Sequence, residues 1–495
     1  MRGRVLSFVG AAWLTLAGCG PAIAGEGLLR DPRLILVHAV VTPPGPRAEP
    51  VVRAIEGLVR TSRRGDSRRA ALLAQAVAAS KIGDLDAALA AAQAAVTGWP
   101  DDAEALFRRG DIQRLRGEDA LAMKDLDQAI ALDPGLASAY VARGVLHDGA
   151  GERALAMADY SQAITLAPEW AAPYALRADD RVNQGDDLQA ALADYDQALA
   201  LRPDSVPALI GRGRALVLAG AVDQGIADLT AALRPGPNPD ALFVRGVAWR
   251  LKGDLDKALA DFTAALAQAP GDPGILAERG ITLRRTGKLD AAIADFDLAL
   301  AADPNNPTTL FARGVAWQRK GDNWRAIADY DRALALAPDS QGALVNRGLA
   351  WRMEGDPVRA LADLDQALRL TPDDPAVLVL RGGVWEMLGE PARALADFDR
   401  ALALRPDYPE ALIDSALARM QVGDTARAAR DLDRVLKTQP KLPQALYARG
   451  VARLSLGRLA EGSADIEAAT ALDPQVGAAF RDFTPGVARI SEGGQ

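Results

Sequence analysis

Thiols and imidazoles are almost missing from this chain. Cys19 is the only cysteine, and His38 and His147 are the only histidines in 495 residues. One cysteine excludes an internal disulfide. So few soft ligands leave no His/Cys cluster with metal-site spacing, and no metal or other cofactor is implied. The sequence holds no G-x-S-x-G nucleophile elbow and no G-x-x-x-x-G-K-[ST] phosphate loop. The carboxylates are plentiful but spread out, so no enzyme activity is expected. Positive charge is not in excess either: 57 Lys and Arg stand against 65 Asp and Glu, for a net charge of -8. General nucleic-acid binding wants a basic footprint and is disfavoured. Aromatics make up only 5% of residues. No stretch is apolar enough to span a membrane. The longest candidate, Val5 to Ala17, is too short for a comfortable crossing.

What the chain does have is a period. Pro100, Pro134, Pro168, Pro203, Pro237, Pro270, Pro304, Pro338, Pro372, Pro406, Pro440 and Pro474 follow one another at intervals of 33 to 35 residues, mostly 34. Self-similarity at such a period marks a repeat architecture and overrides the multi-domain expectation that length alone would raise. The stretch Asn305 to Pro338, NNPTTLFARGVAWQRKGDNWRAIADYDRALALAP, is the clearest unit. It reads as two short amphipathic helices around a Gly-Asp turn, closed by a proline.

With Pro338 as position 32, position 8 is Gly314, position 15 Gly321, position 20 Ala326, position 24 Tyr330 and position 27 Ala333. Small residues at 8, 20 and 27 let two helix backbones approach, and a large residue at 24 fills the space beside them. Glycine at 15 permits the turn, and proline at 32 stops the second helix. Twelve such units run from 69 to 474, each packing mainly on its neighbours. Repeat 4 carries one extra residue in the turn Gly185-Asp186-Asp187-Leu188. Repeat 6 begins one residue early, after Pro235-Gly236-Pro237.

These residues at this spacing resemble the tetratricopeptide repeat family. The chain departs from the family pattern at position 4, where Leu310, Leu344 and Leu378 replace tryptophan, and at position 7, which is mostly arginine. The resemblance implies an all-α fold, a right-handed superhelical solenoid of helix-turn-helix pairs. It also implies a concave groove, lined by the first helices, that binds peptides or proteins. The family's chaperone-tail clamp uses Lys at position 5 and Asn at position 9. Neither occurs here, so that ligand is not expected.

Each repeat position forms a row along the solenoid. Position 7 is Arg109, Arg143, Arg177, Arg212, Arg245, Arg279, Arg313, Arg347, Arg381 and Arg449. Position 23 is aspartate from Asp125 to Asp465. The rows occur together on opposite helices of each pair. An Arg–Asp ion-pair ladder is therefore preferred to a basic track for an anionic ligand, because a guanidinium held near a helix pair needs a carboxylate partner. Repeat 1 lacks both members, having Gln75 and Ala91, and repeat 11 has Ser415 with Asp431.

By resemblance, positions 2, 5, 9, 12 and 13 face the groove. The candidate site residues are Phe107, Phe243, Val247, Arg250, Arg284, Arg285, Phe311, Val315, Arg319, Val345, Leu349 and Arg352. They suggest an apolar floor with a basic margin, suited to a peptide with apolar anchors and some acidic residues. The bland alternative is that positions 5 and 9 only pack between adjacent first helices while the arginines are solvated. Trp249, Trp317, Trp351 and Trp385 share position 11. They read as core residues wedged between the helices of a pair. A sugar-stacking role would require the rings to be open to solvent. His147 falls in the same row and reads as a packing residue.

Met1 to about Gly25 reads as a targeting segment, with Arg2 and Arg4 before the apolar run. Residues 1–18 form the expected signal peptide. Leu16-Ala17-Gly18-Cys19 looks like a bacterial lipobox, in which Cys19 is lipidated and anchors the protein to a membrane. The alternative is ordinary cleavage after Ala24, giving a soluble exported protein. Either way the expected location is the periplasm or cell envelope. Residues 19–68 read as a tether plus one helix, Glu49 to Thr61, that caps the first repeat. Residues 475–495 read as a final capping helix, Val476 to Phe483, and a loose tail. The expected function is a non-enzymatic envelope scaffold for protein or peptide partners. The alternatives are a glycan- or secretion-associated protein and a structural spacer without a groove ligand.

Overall fold

A computed structural model describes residues 65–185 and 187–477. Among them are 24 helices in twelve antiparallel pairs and no strand. The first pair is Gly65–Lys81 with Leu85–Gly98, and the last is Pro443–Ser455 with Leu459–Leu472. The expected signal segment, Cys19, the cleavage site after Ala24 and the capping helix over Glu49 to Thr61 all lie outside the described residues.

Repeat 8 shows why these sequences make helix pairs. Asn306 caps the helix Pro307–Lys320, its side chain accepting the Thr309 N–H at 3.0 Å. Pro307 sits in the first turn, where its missing N–H has no partner to lose. Gly321 ends the helix at φ 88°, in the left-handed region that a Cβ opposes. Asp322 then caps the second helix, Asn323–Leu336, accepting from the Arg325 N–H at 3.0 Å. Ala337, just ahead of Pro338, leaves the helix at φ -135°. The residue before a proline is steered out of the helical region, which ends the element there.

The pair closes on a small-against-large contact. Gly314 lies against the ring of Tyr330, so close that a Cβ would come within 2.6 Å of it. Gly280 stands in the same relation to Phe296, whose ring a Cβ would meet at 2.7 Å. Ala326, Ala333 and Tyr330 are fully buried around this contact. The expected roles of positions 8, 20, 24 and 27 are therefore the observed ones.

The described residues fall into two compact units, one ending at Pro270 and one starting at Gly271. The first holds repeats 1–6, the second repeats 7–12. Within each, consecutive helix pairs stack as an α-solenoid. In the second, one apolar core runs from Ile327 through Trp351 and Phe398 to Ala418, crossing several repeats.

Three details differ from the sequence expectation. The first helix begins at Gly65, inside the stretch read as a linker. There the Arg69 side chain pairs with Asp102 of the next repeat, Nη2 to Oδ1 at 2.7 Å. The second helix of repeat 5, Val222–Ala232, has 11 residues instead of the usual 14, because the Pro235-Gly236-Pro237 run cannot continue it. Only Val476 and Gly477 of the expected C-terminal cap are described. They form a single turn in which Val476 is buried.

Candidate partner-binding groove

Every arginine of the row holds the aspartate of its own repeat. Arg313 holds Asp329 in a two-pronged grip, Nε to Oδ2 at 2.8 Å and Nη2 to Oδ1 at 2.6 Å. Its remaining Nη1 donates to Asp297 of the preceding repeat at 2.6 Å. Arg347 repeats this with Asp363 and Asp331, and Arg381 with Asp397 and Asp365. In the first unit the preceding-repeat acceptor is Asp127 for Arg143, Ser161 for Arg177 and Asp196 for Arg212. Each of these arginines thus locks its own helix pair and clips it to the one before, whereas Arg279 shows only the grip on its own Asp295. The paired carboxylates push the Arg313 guanidinium above its ordinary range, against the opposing effect of burial. A guanidinium with every face committed offers little to an anionic ligand.

The tryptophan row is closed as well. Trp351 is buried, and Trp249, Trp317 and Trp385 are half-buried. Each ring carries a cation from position 19 of the second helix. Lys257 lies 4.3 Å from the Trp249 centroid, Arg325 4.6 Å from Trp317, Arg359 4.5 Å from Trp351 and Arg393 4.7 Å from Trp385. A cation thus occupies a face of each ring in this row, which disfavours sugar stacking there, while Trp324 outside the row is 61% exposed. In repeat 3 the row holds His147, whose Nδ1 lies 2.6 Å from Glu152.

The expected groove residues divide. Phe107, Phe243, Val247, Val345 and Leu349 are buried, as is Arg250. The Phe243 ring lies 6.1 Å from that of Phe262 on the second helix of its own pair, and the apolar floor is largely core. Phe311, Val315, Arg284, Arg319 and Arg352 are half-buried, and Arg285 is exposed. Arg319 donates to the Arg284 carbonyl at 3.1 Å, fixing part of the basic margin to the backbone of the preceding repeat.

Position 6 supplies side chains that meet position 12 across the seam between repeats. Gln318, at position 12 of repeat 8, donates to the backbone carbonyl of Asn346, at position 6 of repeat 9, at 3.4 Å. It also accepts from the Tyr330 hydroxyl at 2.9 Å. Position 12 of one repeat thus meets position 6 of the next. Two repeats on, the equivalent positions are Glu386 and Asp414, both carboxylates and both buried. Burial pushes Asp414 up to about 7, against the opposing charge of Arg352. Burial and the charge of Asp414 push Glu386 well above the carboxylate range.

The first unit has an acidic group on the same face, where cations reach two of the acids although Asp180 Oδ1 stays without a hydrogen-bond partner. Arg153 donates to Asp180 at 3.0 Å, Tyr195 donates to Asp179 at 2.5 Å, and Arg214 lies 3.5 Å from Asp179. Asp148 beside them is raised to about 6 by burial and by the charges of Asp180 and Asp179. Among the described residues no set of three or more His, Cys, Asp or Glu is placed to hold a metal ion. No described helix is long and apolar enough to cross a membrane.

A tetratricopeptide repeat profile matches residues 73–137, 175–238, 222–273, 277–341, 311–375, 354–409 and 413–476. A second tetratricopeptide repeat profile matches residues 137–169. Among solved structures, the chain is similar to a tetratricopeptide repeat protein from Parabacteroides merdae, at 23% identity over 47% of this chain and 93% of that one, with a TM-score of 0.40. It is similar to a chain of the APC/C hetero-tetramer Cut9-Hcn1, at 14% identity over 87% of this chain and 98% of that one, TM-score 0.47. It is also similar to PilW, a type IV pilus biogenesis factor, at 22% identity over 42% of this chain and 96% of that one, TM-score 0.40. A search of curated protein sequences finds no match.

Proposed function

The chain belongs to the tetratricopeptide repeat family, and on that premise we propose that it is a non-enzymatic scaffold of the bacterial cell envelope, holding protein or peptide partners along its first-helix groove. One observation carries the groove reading. The ladder and the tryptophan row are engaged within the fold, whereas the first helices of repeats 7–12 keep half-open apolar and basic side chains on one face. A purely structural spacer has no need of such a mixed face.

The envelope location rests on the N-terminal sequence. The lipobox-like Leu16-Ala17-Gly18-Cys19 follows a charged and apolar leader, and Cys19 is the chain's only cysteine. Lipidation of Cys19 tethers the solenoid to a membrane surface and leaves its groove free for partners. The alternative, cleavage after Ala24, yields the same scaffold as a soluble exported protein.

Crosslinking in bacterial cells, purification of the full-length protein from membranes and mass spectrometry of its companions test both parts. A small set of envelope proteins, enriched with wild type and lost with Cys19→Ser, is the expected result. The same partners with a soluble Cys19→Ser protein would remove the anchor and keep the scaffold. No specific partner would remove the scaffold.

A further inference from the structure

Glu386 and Asp414 occupy a seam position that is complementary elsewhere in the same unit. Gln318 and the Asn346 carbonyl meet there as donor and acceptor. Two carboxylates cannot do this while ionised. Glu386 is 4% exposed and Asp414 2% exposed, and Glu386 Oε1 and Asp414 Oδ1 have no hydrogen-bond partner. A buried acceptor left unmade costs more than a made one returns. The one cation acting on both is Arg352. Ionised together, two carboxylates against one guanidinium would leave a net negative charge in a dry seam, so burial holds protons on them until a counter-charge is supplied.

The surroundings say which counter-charge fits. Leu380, Met387 and Met420, on the same helix faces, are half-buried, and Met353 is 46% exposed. These unbranched and apolar side chains can move aside and cover an aliphatic stem. A hard metal cation wants six or more oxygen ligands and is repelled by the adjacent guanidinium. Water would fill a lone pair without offsetting the charge. An ammonium or guanidinium on a four- or three-carbon stem supplies donors and charge together.

We infer that Glu386 and Asp414 form a subsite for one basic side chain, lysine or arginine, of a peptide partner lying in the groove of repeats 7–12. The inference rests on the groove reading above and reverses its expected charge preference at this end. The partner carries a basic anchor there, set among apolar contacts to Met387 and Met420.

The test is selection of a phage-displayed random peptide library on the full chain, in parallel with a Glu386→Gln/Asp414→Asn variant. Wild type is expected to enrich peptides with Lys or Arg at one register. Binding of a selected peptide should fall about tenfold or more when its basic residue becomes norleucine. That arm needs no change to the protein and stands even if the variant misfolds. The variant should lose the same peptides by a similar factor. Selected peptides with no basic preference, or unaffected by both changes, would overturn the subsite and leave the groove reading standing. No selected peptide at all would overturn both.

Discussion

Arg419 reaches Asp431 from one helical turn beyond the position that supplies the arginine in neighbouring repeats. Position 7 of repeat 11 is Ser415, fully buried, and Arg419 at position 11 bridges both Asp431 and Asp399 of the preceding repeat. The ladder is thus kept by a different residue, at the cost of the tryptophan that repeats 8–10 place there.

That substitution of one device for another can be undone. Arg419→Trp alone leaves Asp431 without its main partner and should destabilise repeat 11 by about 3 kcal/mol, the usual cost of breaking a buried pair. Adding Ser415→Arg rebuilds the arrangement of repeats 8–10, with Arg427 at position 19 to cover the new ring. Hydrogen exchange in the helices Pro409–Gln421 and Thr425–Thr438 should quicken in the single variant and recover in the double.

The glycine row makes a graded prediction. A Cβ on Gly314 would sit 2.6 Å from the Tyr330 ring, whereas one on Gly348 finds its nearest atom, the Ala360 carbonyl, at 3.2 Å. Gly314→Ala should therefore cost about 1–3 kcal/mol through overpacking. Gly348→Ala should cost less, because Leu364 replaces the aromatic ring there. Denaturant melts of the two variants give the comparison.

The buried carboxylate pair makes stability depend on pH with a definite sign. The pKa of Asp414 is raised from 3.8 to about 7, and that of Glu386 is raised as well. Between pH 4 and 7 the unfolded chain has lost these protons and the folded chain keeps them, so stability falls as pH rises through that window. Glu386→Gln/Asp414→Asn should gain more over wild type at pH 8 than at pH 5. An equal gain at both pH values would contradict it. Thermal melts of both proteins at the two pH values measure this.

The closed tryptophan row predicts silence. Arg325 occupies a face of Trp317 and Arg359 a face of Trp351, so, with the exposed Trp324 replaced by Phe, soluble cell-wall oligosaccharides should not change tryptophan emission. Arg325→Ala should expose Trp317 and shift that emission to longer wavelength, at a cost of about 0.5–1 kcal/mol.

Most of the fold was legible because each repeat position has one local job. Gly314, Gly321, Tyr330 and Pro338 could be assigned from size and backbone freedom, and the Arg313–Asp329 pairing from two rows that occur together. The site was less legible. Facing the groove is not the same as being open to it, and Val247 and Leu349 are buried. Glu386 and Asp414 lie 28 residues apart, so each looks like an ordinary surface acid. Only the stacking of one repeat on the next sets them together. The clip from Arg313 back to Asp297 was hidden for the same reason.

The central claim is that partners bind the first-helix face. Photo-crosslinking in cells tests it most directly, with a photoreactive phenylalanine analogue placed at Arg285 or Met353 on that face, or at Leu298 or Val358 on the second helices. All four positions are exposed. The account predicts discrete protein adducts from Arg285 and Met353 and none from Leu298 and Val358. Adducts confined to the second-helix positions would contradict it.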